Sequence, residues 1–465
     1  MSEQHTPTPI PDPDALVHAI PADQSLPVQE ETAEVAASNF SADSSPFNDF
    51  GERRFVNKLS WFGPLNLVTI LAFTIPTAAA ASLFSFMYTV VLPESAANTA
   101  IGLTNVSGAM TGAVFAVLIG FLSDRTRSRL GRRNPWILTG TALSALGLLG
   151  LGAVSYSAVW AVIIFFCLFQ AGLNMFYAAY TALLPDRVHS SLLGRASAYS
   201  GFGSLAGTAL GSILTQLLVS VFGAENLKDG FYTLPWLMII ISIVIVIVLP
   251  GADMRKKKAV EGQGDIGEEA KSKFRIPRDR DFWLAYFGRF SIVLGIMLIL
   301  QTATQILRYH YGLTVAQAAG VGAIAGLLMA GAGAVSSLLA GFISDKIGKR
   351  KPLIAVTVGL FIIGTLLLIF SKNITMYYAY TVFAALSYGS FQAIDQALMV
   401  EVLPDKEHVA QDMGMLGTTN TLTGVVAGGL GALLIAVLGY ETMFLLAAVL
   451  AFVGILIFIP IRRVK

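Results

Sequence analysis

The chain has 465 residues, a formal net charge of +2, 55% hydrophobic and 13% charged residues, and a mean hydropathy of +0.68. Ordinary globular domains carry about 25% charged residues, so this composition excludes a single soluble catalytic domain and places the chain in the membrane class. The one cysteine, Cys167, sits in an apolar run and excludes a disulfide framework or a cysteine-ligated metal; no basic patch interleaved with aromatics points to nucleic acid.

In chain order, residues 1–50 hold no Lys or Arg, nine acidic residues and seven of the 18 prolines, too little apolar surface to drive folding. The segment lacks the basic start and apolar stretch of a cleavable signal, and residues 1–56 are read as a disordered acidic cytoplasmic tail. From Gly63 onward twelve apolar segments follow, at about 64–92, 99–122, 135–154, 158–183, 196–222, 232–250, 282–307, 316–343, 352–370, 374–402, 414–438 and 440–461. Each is near the roughly 20 residues that a helix needs to cross the hydrocarbon. Counted on alternate sides, 27 of the 31 Lys and Arg fall on one side, with Lys228, Arg308 and Lys372 on the other and Arg289 alone at membrane depth. The positive-inside rule then puts both termini in the cytoplasm of a multi-pass protein of the cell membrane. All five tryptophans fall near segment ends, the headgroup level that suits an indole. Residues 251–280, with Arg255 to Lys258 and Lys271 to Arg280, read as a cytoplasmic linker between two halves, 57–250 and 281–465. Their basic runs favour anionic lipid headgroups.

The loop Gly120-Phe-Leu-Ser-Asp124-Arg125, closing in Gly131-Arg132-Arg133-Asn134-Pro135, returns 221 residues on (341 − 120) as Gly341-Phe-Ile-Ser-Asp345-Lys346, closing in Gly348-Lys349-Arg350-Lys351-Pro352. Leu184-Pro185-Asp186-Arg187 returns 219 residues on (404 − 185) as Leu403-Pro404-Asp405-Lys406. Two repeats at nearly one offset imply two parallel six-helix halves with a site at their shared midplane. The second loop fits in full, and the first with the insertion Thr126 to Leu130, the Gly-x-x-x-Asp-(Arg/Lys)-x-Gly-(Arg/Lys)-(Arg/Lys) loop of the major facilitator superfamily. The chain resembles that superfamily from helix 1 to helix 12, and the inserted form resembles the glycoside-pentoside-hexuronide and sucrose-transporter-like branch. The resemblance implies an all-α membrane protein of twelve transmembrane helices in two six-helix pseudo-repeats, working as a transporter by alternating access. It also implies gating roles for Asp124, Arg125, Arg132, Arg133, Asp345, Lys346, Lys349 and Arg350; the alternative is that these basic loops only fix topology. Sodium-coupled relatives carry carboxylates at positions matching Gly112, Ala116 and Tyr177, so a sodium site of that type is not expected.

Ionisable groups at membrane depth are costly and mark function, and here they are Arg289 and Asp395. At 1.5 Å per residue, Arg289 lies about 12 Å and Asp395 roughly 10–14 Å from the cytoplasmic ends of their helices, a match that predicts a pair. The resemblance would place both beside the central cavity. Asp395 is the one carboxylate deep within a span, so with proton coupling it is the carrier that Arg289 holds ionised, and without coupling the pair is a gate or a ligand clamp. The alternative is an ion pair that only ties two helices together. Gln170, Asn174, Tyr177 and Thr181 share a face of helix 4, and Gln392, Asp395 or Gln396, and Met399 a face of helix 10. Amides and hydroxyls suit a neutral, polyhydroxylated ligand, which makes Gln170, Asn174, Tyr177, Gln392 and Gln396 candidate substrate contacts. Phe176, Tyr177, Tyr180 and Phe391 are available to stack on a sugar ring, while Gln301 and Gln305 are expected to face water near the outer end.

The run Gly341 to Lys349 lacks the spacing of a phosphate loop, and the five histidines lie in tails, loops and span ends, so neither an ATP-driven pump nor an enzyme is expected. The sequence predicts a monomeric secondary transporter without cofactor or metal, moving a small polar solute, a sugar or glycoside, together with a proton. Efflux or facilitated diffusion of another solute is the alternative, and a transport-inactive membrane sensor a third.

Overall fold

A computed structural model describes residues 62–187, 190–250, 277–347, 350–402 and 409–461. The acidic tail, linker residues 251–276, Lys349 and the turn from Leu403 to His408 lie outside the described residues. The long helices are α1 (Phe62–Val91), α2 (Glu94–Arg125), α3 (Asn134–Ala153), α4 (Val159–Arg187), α5 (Ser190–Phe222), α6 (Pro235–Val248), α7 (Arg280–Gln301), α8 (Val315–Ile347), α9 (Arg350–Phe370) and α10 (Ile374–Glu401). Two more, α11 and α12, share the run Val409–Phe458 and divide at Gly439. Among the described residues ten stretches, one in each of α1 to α9 and the run Leu422–Phe458, are long and apolar enough to cross a membrane.

Local chemistry sets the helix ends. Pro93 precedes α2 and Pro135 sits in the first turn of α3, where a missing N–H is no loss. Asp279 caps α7 by accepting from the Phe282 amide at 3.1 Å, and Asn373 caps α10 by accepting from the Thr375 amide at 2.9 Å. Gly439 turns the chain between α11 and α12 at φ 81°, a conformation strained for any residue with a Cβ. Four boundaries depart from the apolar pattern by five or six residues: α5 starts at Ser190 rather than 196 and α11 at Val409 rather than 414, and two others have a local cause. α2 starts at Glu94 rather than near 99, because Pro93 opens the helix ahead of the apolar run. The seventh helix stops at Gln301 rather than running to 307, since Thr302 leaves the helical range at φ −103°, ψ 9°. A short turn, Ala303–Gln305, and a wide turn closed by the Tyr311 amide on the Ile306 carbonyl at 3.1 Å then follow.

The two halves repeat their packing. α1 meets α5 as α7 meets α11, α2 meets α4 as α8 meets α10, α3 meets α4 as α9 meets α10, and α3 meets α6 as α9 meets the end of α12. Between halves, α2 lies against α11 and α5 against α8. Lipid supplies no hydrophobic drive between helices, so close approach at small residues does the holding. At the α3–α4 contact, a methyl on Gly147 or Gly172 would run into the partner backbone. Gly147→Ala is therefore expected to destabilise by about 1–3 kcal/mol. Gly331→Ala, where a methyl meets nothing within 4 Å, should be neutral or slightly stabilising; thermal unfolding followed by size-exclusion chromatography in detergent reads both.

Candidate functional site

The structure brings Arg289 and Asp395 together. Arg289 Nε lies 2.9 Å from Asp395 Oδ2, with Arg289 1% and Asp395 0% exposed. Arg289 Nη1 also donates to Met399 Sδ at 2.8 Å and to the Leu416 carbonyl at 2.9 Å, so one guanidinium ties α7, α10 and α11. The carboxylate is held differently: neither of its oxygens accepts a hydrogen bond, and its contact with Arg289 is charge against charge. Both side chains lie inside the packing of the second half, shut off from solvent in this conformation. Burial and the neighbouring cation act in opposite senses on the charge of such a group.

The first half carries a neutral counterpart. Asn66 of α1, 0% exposed, donates to Ser200 Oγ of α5 at 2.9 Å and accepts from Tyr180 OH of α4 at 2.8 Å. Tyr180 and Met399 are 219 residues apart (399 − 180), the offset of the repeated Leu-Pro-Asp turns. Both ties join the first, fourth and fifth helices of a half, and only one uses charge.

The polar stripe on α4 is partly consumed by its own protein. Asn174 donates to the Gln170 carbonyl at 2.9 Å and its amide fills the space over Gly112. Tyr177 OH is 3.4 Å from Thr74 Oγ1, and the Gln170 side chain is half-buried. On α10, Gln392 donates to Tyr388 OH at 3.3 Å while its Oε1 has no partner; the Gln396 side chain lies outside the described residues. The stacking residues differ from expectation. Phe176, Tyr180 and Phe391 are buried core, Phe176 stacking on Phe73 and Tyr180, which leaves Tyr177 half-buried among the four. Gln305 also departs from expectation: it is 1% exposed and neither amide atom finds a partner. Gln301 is exposed and donates to the Gly424 carbonyl at 3.4 Å. Periodicity marks where an amide sits and not whether its hydrogen bonds are met, so Gln305 could not be found that way.

At the basic loops, Arg132 and Arg133 converge on Asp186 Oδ2, Nη2 at 2.7 Å and Nε at 3.1 Å, and Arg133 also donates to Ser123 Oγ. Asp186, from the repeated Leu-Pro-Asp turn, is the member that the reading of the loop alone missed. Arg187 donates to the Pro250 carbonyl and Asn134 to that of Leu249, each at 2.9 Å, so the loop holds the end of α6. In the second half Lys351 donates to the carbonyls of Ile459 and Ile461 after α12, a cation at a helix C-terminus. Arg125 and Lys346 are exposed and Arg350 is half-buried; the side chains of Asp124 and Asp345, and all of Lys349, lie outside the described residues.

Two links between described residues cross from half to half, Arg308 to Thr89 and Tyr440 OH to Glu94 Oε1 at 3.3 Å. Both lie at the end away from the basic loops. Along the seams a methyl on Gly102 would meet Ala432, and one on Gly326 would meet Ser212, whereas Gly120 and Gly341, towards the basic loops, have nothing within 4 Å of that position. Among the described residues the halves converge at one end and part towards the other.

Similarity to known proteins follows the same plan. The oxalate:formate antiporter of Oxalobacter formigenes is 26% identical over 335 residues, covering 70% of this chain and 74% of that protein. The lactose permease of Lactobacillus delbrueckii subsp. bulgaricus is 25% identical over 42% of this chain, which spans only 33% of the permease. Among solved structures, a bacterial homolog of the human lysosomal transporter Spinster, inward-facing and occupied, superposes with a TM-score of 0.64 at 13% identity, covering 88% of this chain and 98% of that one. The D-xylose-proton symporter does so with a TM-score of 0.59 at 18% identity, covering 86% and 97%; likenesses this distant in sequence speak to the fold alone. The Major Facilitator Superfamily pattern matches residues 69–340 and 328–465, and because that match runs through both halves from the second turn of α1, this chain belongs to the Major Facilitator Superfamily, a transporter and not an enzyme.

Proposed function

We propose that the protein is a proton-coupled carrier of a small polar solute, a sugar or glycoside, in the cytoplasmic membrane, with both termini and the basic loops in the cytoplasm and a monomer as the working unit. The observation that carries the coupling is Asp395, wholly buried at membrane depth and held by Arg289 without a hydrogen bond to either oxygen. The neutral tie through Asn66 joins the corresponding helices in the first half, so this packing can be made without a carboxylate, and the charge of Asp395 is available to serve transport. With the basic loops inside, the parted end faces the cytoplasm, and this conformation is inward-facing. Support for a polyhydroxylated solute comes from the amides of Gln170, Asn174 and Gln392 and the hydroxyl of Tyr177 near the midplane, and from the lactose permease among its relatives. Gln305 joins them as an amide with unmet hydrogen bonds. Arg132, Arg133 and Asp186 form the cytoplasmic latch, together with Asp124, Arg125 and their second-half counterparts Asp345, Lys346, Lys349 and Arg350.

A second reading, exchange of small carboxylates, has support in the larger share of the chain that the oxalate:formate antiporter matches. Uptake into proteoliposomes of radiolabelled mono- and disaccharides, oxalate and formate, with and without an inward proton gradient, separates the two. Gradient-driven accumulation of one sugar, reduced to equilibration by Asp395→Asn, is the expected result; counterflow of carboxylates without a proton requirement would sink the sugar reading. Arg289→Gln, which strands a buried carboxylate, is expected to destabilise by about 3–5 kcal/mol. Adding Asp395→Asn should recover most of that loss in thermal unfolding but not the accumulation.

A further inference from the structure

We propose that Arg308 is a reversible clasp that holds the outer end shut in this conformation, by capping the end of α1 from across the seam between halves. The proposal rests on the cytoplasmic placement of the basic loops. Arg308 lies in the wide turn after the break in α7. Its guanidinium donates through Nε to Thr89 Oγ1 at 3.1 Å, through Nη2 to the Thr89 carbonyl at 3.5 Å, and through Nη1 to the Leu313 carbonyl. Thr89 stands two residues before the last residue of α1, where carbonyls have no helical partner and the helix dipole favours a cation. One planar fork thus binds the first half through Thr89 and its own half through Leu313.

Three features make this a clasp. Among the described residues no carboxylate lies within 4.0 Å of Arg308, so its partners are neutral oxygens that water can replace when the seam opens. Its side chain is half-buried, which leaves it close to that water. On the face poor in Lys and Arg, Arg308 reaches across the seam to Thr89, whereas Lys372 stands 3.9 Å from Glu441 within its own half, both well exposed. The Tyr440 hydroxyl on Glu94 crosses the same seam beside it. Towards the basic loops, by contrast, a methyl on Gly120 or Gly341 would meet nothing within 4 Å. The outer bonds therefore belong to the inward-facing state and must break for the protein to face outward, which makes Arg308 a weight on one side of that equilibrium.

The test needs no known substrate. In a full-length Cys167→Ser background, Ser212→Cys reports on the seam beside Gly326, and Thr181→Cys, exposed on the cytoplasmic third of α4, reports on the inner opening. Labelling by a membrane-impermeant maleimide is measured in intact cells for the first and in inverted vesicles for the second. Arg308→Gln is expected to speed external labelling of Ser212→Cys about tenfold, equivalent to about 1.4 kcal/mol, and to slow labelling of Thr181→Cys; Arg308→Lys, a cation without the planar fork, should fall between. Unchanged labelling at Ser212→Cys would overturn the clasp, as would faster labelling at both reporters, the mark of a protein merely loosened. If the parent admits reagent to each reporter from the opposite side, the orientation is wrong, and the same comparison with the sides exchanged still decides the clasp.

Discussion

A full charge kept in a membrane interior must be satisfied by protein, and the second half of this molecule is organised around that constraint. Arg289 answers it by reaching three helices at once: a carboxylate and a thioether on α10 and a carbonyl on α11. None of these partners would suffice alone, because removing a guanidinium from water costs more than one good contact returns. The positions of α7, α10 and α11 relative to one another are therefore tied to a single side chain. Asp395 is the weaker member, since it has Arg289 and no hydrogen bond of its own. On the proposed reading, this inequality is what makes it the group that can exchange its charge while Arg289 keeps the helices in register.

The repeat sharpens that argument. Asn66, Tyr180 and Ser200 solve the same packing problem with neutral groups, the Asn66 amide using both its nitrogen and its oxygen. A buried ion pair is weak evidence for stability, and apolar or neutral replacements often serve as well. Here the neutral solution stands in the other half of the same molecule, so the ionic one calls for a reason beyond packing. The latch loops show a parallel division. In the first half Arg187 and Asn134 bind carbonyls at the end of α6, while in the second Lys351 binds those after α12. Each loop thus couples the mouth of its half to the last helix of that half.

Most of the helical plan was legible in the sequence because hydrocarbon thickness sets the length of an apolar run. The exceptions have local causes. The α7 break at Thr302 falls in the polar run Gln301-Thr-Ala-Thr-Gln305, which a single segment drawn to 307 passes over, and Pro93 starts α2 before its apolar run begins. The Arg289–Asp395 contact was legible because charges at depth are so few that equal depth nearly names the pair. Asp186 was harder: it is one of many charges at an interface, and only its place in a repeated turn sets it apart. Asn66 and Gln305 were out of reach, since a neutral polar residue in an apolar run has the same pattern whether its hydrogen bonds are met, as for Asn66, or left open, as for Gln305.

That difference bears on how a carrier holds its solute. An unmet buried hydrogen bond costs about 1–3 kcal/mol, so a protein that retains one in its resting state holds binding capacity in reserve. Gln305 keeps both amide atoms unmet and Gln392 one, while Asn174 spends its donor on the carbonyl of Gln170 one turn away. A carrier must release what it binds, and groups that return to a partner within their own helix make release inexpensive. The α4 stripe is built that way, and Gln305, close to the seam that Arg308 closes, is not. On this reading the amides of α4 favour passage and the amide of Gln305 favours recognition, and the two functions lie on opposite halves of the molecule, where rocking of one half against the other can separate them.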